Sequence, residues 1–254
     1  MIVSISNHKG GVGKTSSSVN LAAGVSLQGK KTLLVDLDPQ ANASQSLNVR
    51  DYEPNIYHAM KGEIKLPEIQ VLENLWLVPS GLALSGAELE FSMEPGRENI
   101  LKELLLKAKE KYDYIFIDCP PSLGLLTLNA LNASDFVLVP LQAHYLASQG
   151  LQKLLEVIAK VQTRLNPGLQ ISGILITMYR KRTVLSRDIH DFINTRFADL
   201  VYKTKIRDSI AIAEAPATGQ DIFRYAGNSL AALDYSNLVM EFLNRHPVKR
   251  MKAC

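Results

Sequence analysis

The chain is predicted to fold as an α/β domain, a doubly wound, mostly parallel sheet flanked by helices. Three observations predict it. Short apolar runs alternate with helix-length segments of helical periodicity along most of the 254 residues. The runs at 32–36 and 114–118 are continuously apolar up to a terminal aspartate, as in strands covered on both faces. The first run leads through a glycine-rich loop directly into a helical segment.

Taken in order, strands are expected near 2–6, 32–36, 75–78, 114–118, 136–140, 171–177 and 200–203. Helices are expected near 14–28, 98–111, 123–132, 147–165, 184–197 and 228–245. In the fourth helix Leu151, Leu154, Leu155 and Ile158 recur at helical spacing. Pro39 ends the second run and Pro120-Pro121 end the fourth, because proline has no N–H for a ladder. Residues 41–99 are the least regular part, and short helices and loops are expected there. There is no internal repeat, low-complexity tract or clear linker. One domain over 1–246 is expected, with a short basic tail at 247–254.

Hydrophobic residues make up 46% and charged residues 21%, ordinary values for a globular protein. No apolar run approaches the roughly 18 residues of a membrane span. No signal peptide is read at the N-terminus, so a cytoplasmic location is expected. Two cysteines, Cys119 and Cys254, make no disulfide framework, and the five histidines show no zinc-ligand spacing. The net charge of +3 is uneven. Residues 180–254 hold 13 Lys/Arg against 8 Asp/Glu, so the basic excess is C-terminal.

The loop Lys9-Gly10-Gly11-Val12-Gly13-Lys14-Thr15 carries the chemistry. Glycines without Cβ let a backbone wrap a phosphate and aim N–H groups at it. The helix that follows adds free N–H groups and a positive dipole end. Lys14 supplies a point charge for the β and γ phosphates, and the Thr15 hydroxyl is a hard ligand for Mg²⁺. ATP and Mg²⁺ are therefore the expected cofactors of a P-loop NTPase fold. Two acid-ended strands follow. Asp36 and Asp38, one residue apart, lie on one side of an extended chain and point into the crevice beyond the strand ends. Asp118 ends the strand 114–118 in the manner of a Walker B acid and would hold the Mg²⁺ shell.

Lys9 stands where a common P-loop has its first glycine. With the two acid-ended strands, and with Asn20-Leu21-Ala22, Thr177-Met178-Tyr179 and Ala213-Glu214-Ala215-Pro216, the chain resembles the ParA/Soj partition ATPases of the deviant Walker A group. The likeness covers nearly the whole chain. It implies an ATP-dependent homodimer in which Lys9 reaches the partner's nucleotide. It implies that Asp38 orients the attacking water and that Asp36 supports the site. Gly10, Gly11, Val12, Gly13 and Ser16 complete the nucleotide cradle. It further implies slow hydrolysis stimulated by a ParB-like centromere-binding protein. Non-specific grip on double-stranded DNA, hence nucleoid association when ATP is bound, would serve chromosome or plasmid partition. Arg180, Arg182, Lys203, Lys205 and Arg224 are the candidate DNA contacts, with Lys181, Arg187 and Arg207 beside them.

The chain departs from the family in places. The usual adenine-flanking Pro-Arg-Asn is Arg207-Asp208-Ser209, so Arg207 and Ser209 are the carried-over adenine contacts. A DNA-contacting arginine is replaced by Ala211. His8 stands where glutamine is usual, and Ser16 where a second threonine is common. Three other readings are weighed. A MinD-like division-site ATPase would need an amphipathic C-terminal helix, which Pro247 interrupts. A metal-cluster ATPase would need interface cysteines. A regulator that binds ATP without turnover is opposed by the intact Lys14, Asp38 and Asp118.

Overall fold

The apolar runs become the strands of one central sheet. A computed structural model describes residues 1–142, 147–180, 193 and 195–248. Among these are β1 (Ile2–Ile5), β2 (Thr32–Asp36), β3 (Ile69–Leu72), β4 (Leu75–Val78), β5 (Tyr114–Asp118), β6 (Phe136–Gln142), β7 (Gln170–Tyr179) and β8 (Val201–Arg207). They lie in the order β3-β4-β2-β5-β1-β6-β7-β8. Every neighbouring pair is parallel except β3 with β4. This is a single α/β domain with its sheet covered on both faces.

Alternation along each strand assigns the two faces. Tyr114 and Phe116 pack with Leu34, Leu138 and Leu175 against the helices Lys14–Leu27 and Leu230–Arg245. Ile115 and Ile117 turn the other way, with Leu33 and Val35, onto the helices Ile100–Lys111 and Leu125–Ala133. Val137, Val139, Ile174 and Ile176 meet Leu151, Leu154 and Ile158 of the helix Ala147–Arg164. Because both faces are buried, these strands read as unbroken apolar runs.

Two differences from the sequence expectation have clear causes. β3 falls within the stretch expected to hold only short helices and loops. It is a four-residue edge strand, half-exposed, paired antiparallel with β4 through a tight turn in which Asn74 takes φ 58°. Such a short polar-flanked run has little periodicity to read. β8 extends to Arg207, past the expected end at 203. Its lysines face outward at the sheet edge, which interrupts the apolar signal. The Glu241 carboxylate accepts from Lys203 N and Thr204 N, each at 2.8 Å, in place of a further strand. The helix expected at 184–197 falls mostly outside the described residues, as do Arg182, Lys181, Arg187 and the tail from 249.

The last helix is anchored by His246. Its carbonyl accepts from Tyr114 Oη at 2.7 Å, and its Nε2 lies 2.8 Å from Ser172 Oγ. Its ring packs on Phe136 and Phe242. Burial, then the nearby Arg245 charge, lowers its pKa from 6.5 to about 4. Between those values the unfolded chain takes up a proton that the folded chain refuses. Acidification through that window therefore removes stability, and nothing is lost on this account above pH 6.5. Compared with His246→Gln, the wild type is expected to lose about 2 kcal/mol, or ~4–8 °C of Tm, between pH 6.5 and 4. Parallel melting curves of both proteins across that range check this; parallel pH profiles would contradict it.

Candidate active site

The carboxyl ends of β1, β2 and β5 meet at one point, because β5 lies between the other two. Register pairs Ile5 with Asp118 and Asp118 with Asp36. The chain leaves β1 toward one side of the sheet and later crosses from β5 to β6 on the other. That reversal opens a crevice at the strand ends. The loop after β1 fills its mouth.

The loop is held from three sides. Asn7 Nδ2 donates to Pro140 O at 2.7 Å, and Asn7 Oδ1 accepts from Lys9 N at 3.1 Å. Thr177 Oγ1, from β7, donates to Val12 O at 2.8 Å. Gly11 and Gly13 take φ of 71° and 81°, a left-handed geometry costly for any other residue. Gly13 is the N-cap of the helix Lys14–Leu27, and no side chain caps that end. Its first N–H groups are thus left for a ligand.

Lys14 is buried, at 7% exposure, and its Nζ donates to Lys9 O at 3.0 Å. Burial lowers its pKa, while Asp118 works in the opposite direction. The ammonium keeps donors to spare for an anionic ligand. Thr15 Oγ1 donates to Asp118 Oδ2 at 2.8 Å, and Ser18 Oγ lies 2.8 Å from Asp118 Oδ1. Asp118 is fully buried, and desolvation raises its pKa. A hydroxyl and a carboxylate converging on one point, at the foot of a phosphate cradle, suit Mg²⁺, which takes few protein ligands and keeps waters. The residues present fit ATP–Mg²⁺, with Thr15 and Asp118 on the metal side.

Asp36 and Asp38 have separate surroundings. Asp36 is fully buried and accepts from Ser44 N at 2.8 Å, Ser44 Oγ at 2.7 Å and Asp38 N at 3.2 Å. Burial, reinforced by Asp118, raises its pKa. Asp38 turns into the crevice, where its Oδ1 accepts from Gln40 N at 3.0 Å. A cavity of about 590 Å³ opens there. Gly10, Gly11, Gly13, Lys14, Thr15, Ser16, Asp38 and Gln40 line its phosphate end. Met178, Pro216 and Ala217 supply apolar walls. Met178 takes φ 49°, a strained value for its residue type.

The structure thus brings Lys14, Thr15, Ser16, Asp38 and Asp118 together. Arg207 and Ser209 are not among the residues lining the cavity. Arg207 instead forms a bidentate pair with Asp234, at 2.6 and 2.7 Å. Lys9 borders the loop, but it too is absent from the lining. Among the basic candidates, Arg180 pairs with Asp208 and Arg224 with Asp221. Lys205 sits over the Tyr179 ring at 4.7 Å. Ser18, Ser44 and Arg50 were not singled out from sequence. Ser18 stood in view as part of a serine run on an otherwise apolar helix. Cys119 is buried, and burial pushes its thiol pKa upward, which favours the unreactive thiol form.

Comparison with known proteins agrees with this geometry. The AAA_31 model, an AAA domain, matches residues 1–171. The chain is 44% identical to the sporulation initiation inhibitor protein Soj of Bacillus subtilis, over 94% of this chain and 97% of that protein. It is 42% identical to the chromosome-partitioning ATPase Soj of Treponema pallidum, over 94% and 95%. Among solved structures, cobyrinic acid a,c-diamide synthase from Mycobacterium smegmatis with bound ADP and magnesium superposes with a TM-score of 0.83 at 34% identity, covering 94% of this chain and 92% of that one. A plasmid partition protein from Borrelia burgdorferi superposes with a TM-score of 0.78 at 28% identity, covering 96% and 98%. With a phosphate loop, two acid-ended strands and relatives matched over most of both chains, the chain belongs to the Soj/ParA family of P-loop ATPases, and ATP and Mg²⁺ are its cofactors.

Proposed function

We propose that the protein is a partition ATPase: it dimerises on ATP, holds DNA without sequence choice and helps segregate a chromosome or plasmid. Hydrolysis ends that state. Lys14 binds the triphosphate, Asp38 orients the attacking water, and Thr15 and Asp118 hold the Mg²⁺ shell. ATP–Mg²⁺ supplies the transferable phosphoryl group and the cation that offsets its charge. Turnover is slow until a ParB-like partner stimulates it, and the ATP-bound form works on the nucleoid in the cytoplasm.

The observation that carries the dimer is at Lys9. Its carbonyl binds Lys14 within the subunit, yet its side chain is not part of its own cavity wall. A lysine beside the phosphate cradle but outside it is free to serve a nucleotide across an interface, as arginine fingers do. Lys9→Ala is expected to keep ATP affinity within about threefold while losing ATP-driven dimerisation and turnover. Light scattering with and without ATP–Mg²⁺ reads the first, and phosphate release the second. Unchanged pairing and turnover would reduce the protein to a generic nucleotide binder.

For DNA, the contacts we favour are Lys203 and Lys205, two residues apart on one face of the edge strand β8, with Lys203 exposed. Binding should need ATP and fall steeply with salt, because phosphate contacts release counterions. The double change Lys203→Ala, Lys205→Ala is expected to lower the log–log salt slope by about 1–2 and to weaken all sequences alike. Filter binding with ATP, ADP and no nucleotide, at several salt concentrations, measures it. ATP-dependent sedimentation with liposomes, and none with DNA, would instead favour the MinD-like reading. The last helix weighs against that reading, because it buries Tyr235, Leu238, Val239 and Phe242 in the core.

A further inference from the structure

We propose that Arg50 holds the adenine base of ATP, the role that the family resemblance gave to Arg207 and Ser209. The proposal rests on the ATPase reading above and adds the residue by which this chain recognises the base.

Three ionisable side chains line the nucleotide cavity: Lys14, Asp38 and Arg50. Lys14 belongs to the phosphate cradle and Asp38 to the attacking water, whereas Arg50 has no part in either. It is exposed, and among the described residues its side chain makes no ion pair or hydrogen bond. The path of the chain sets its place. Leu47 N and Val49 N both donate to Ser44 O, at 3.1 and 3.0 Å, which closes the helix Asn42–Ser46 and turns the chain. In that turn Asn48 takes φ 63°, a left-handed geometry that asparagine tolerates. Asn48 is seated on Gly219, where a Cβ would meet Asn48 Cβ at 2.7 Å. Gly219 ends the short helix Ala215–Thr218, and its N–H donates to Pro216 O at 3.1 Å. Arg50 therefore enters the cavity two residues past a contact with the turn that carries Pro216 and Ala217.

Those two residues, with Met178, are the apolar walls of the cavity, the surroundings that suit a base and not a phosphate. A purine has two apolar faces and an edge of acceptor nitrogens. Apolar walls suit the faces. A planar guanidinium can stack on a ring and donate to ring nitrogens, and it carries five N–H donors. Arg50 is the one side chain of the cavity with that chemistry. The carried-over pair cannot supply it from where they stand. The Arg207 guanidinium is engaged by Asp234 at 2.6 and 2.7 Å, and neither Arg207 nor Ser209 lines the cavity.

Titration calorimetry of the full chain with ATP–Mg²⁺, CTP–Mg²⁺ and tripolyphosphate–Mg²⁺ tests this. Tripolyphosphate carries the phosphates without base or sugar, so it reads the phosphate end alone and shows that a variant is still folded. Arg50→Ala is expected to bind ATP roughly five- to tenfold more weakly. Its affinity for tripolyphosphate should stay within about twofold of wild type. Its preference for ATP over CTP should narrow, because the smaller pyrimidine ring offers the guanidinium less face to lose. Arg50→Lys should recover only part of the loss, since an ammonium keeps the charge but not the plane. Ser209→Ala should bind ATP as the wild type does. Equal losses on ATP and tripolyphosphate would place Arg50 on the phosphates and overturn the proposal. Unchanged ATP affinity in Arg50→Ala, an unchanged preference over CTP, or full recovery by lysine would each overturn it too. So would a loss in Ser209→Ala as large as that in Arg50→Ala. A wild type that binds neither ATP nor tripolyphosphate would instead sink the ATPase reading.

Discussion

Lys14→Ala is expected to bind ATP at least ~100-fold more weakly and to show no measurable turnover. Lys14 is 7% exposed, and its ammonium donates to the Lys9 carbonyl at the start of the loop. A charge-assisted contact to phosphate in so dry a place is stronger than its counterpart in water. The alanine variant also leaves the Lys9 carbonyl without this donor. Folding should survive the change, because a desolvated ammonium is costly to the free protein and its burial already lowers the Lys14 pKa. Titration calorimetry with ATP–Mg²⁺ and a melting curve of the free protein separate the two effects. ATP affinity within about threefold of wild type would remove Lys14 from the phosphate site.

Asp38→Ala should behave differently: ATP affinity is retained, turnover falls by about 10²–10⁴, and the ATP-bound dimer accumulates. Asp38 lines the cavity, but it does not hold the loop together. Its backbone N–H is fixed by Asp36 Oδ1 and its carboxylate by Gln40 N, so its aim comes from neighbours that the alanine leaves in place. Asp118→Ala offers a contrast, since it removes the acceptor of both Thr15 and Ser18 and should lower Mg²⁺-dependent affinity as well. Size exclusion with light scattering reads the dimer, and phosphate release reads the turnover. A monomer at every ATP concentration, or turnover at the wild-type rate, would contradict the assignment of Asp38 to the water.

Much of this was legible along the chain. The strands 32–36, 75–78 and 114–118 were read with the bounds that the structure has, because both of their faces are buried and apolar content alone marks them. The loop was legible because phosphate wrapping demands glycine where φ is positive, and Gly11 and Gly13 are those positions. The supports were not. Thr177 reaches Val12 across 165 residues, and Ser18 reaches Asp118 across 100. Serine and threonine carry no pattern that announces such a partner. Arg207 was carried over as an adenine contact from a segment whose neighbours differ from the family's. Asp234, on the packed last helix, engages it instead.

Sequence by itself therefore determined the kind of fold, the phosphate loop and the two acid-ended strands, since each is a local requirement of backbone geometry or burial. Tertiary structure decided how each acid is held: both are buried, but only Asp38 lines the cavity. Asp36 and Asp38 are near-identical in sequence context, yet Ser44 claims one and leaves the other to the crevice. It also set the Ser80 N–H on Ser44 Oγ, behind Asp36, from 36 residues away. The physical reason is range. Propensity and periodicity act over a few residues, whereas hydrogen-bond satisfaction and close packing select partners from anywhere along the chain.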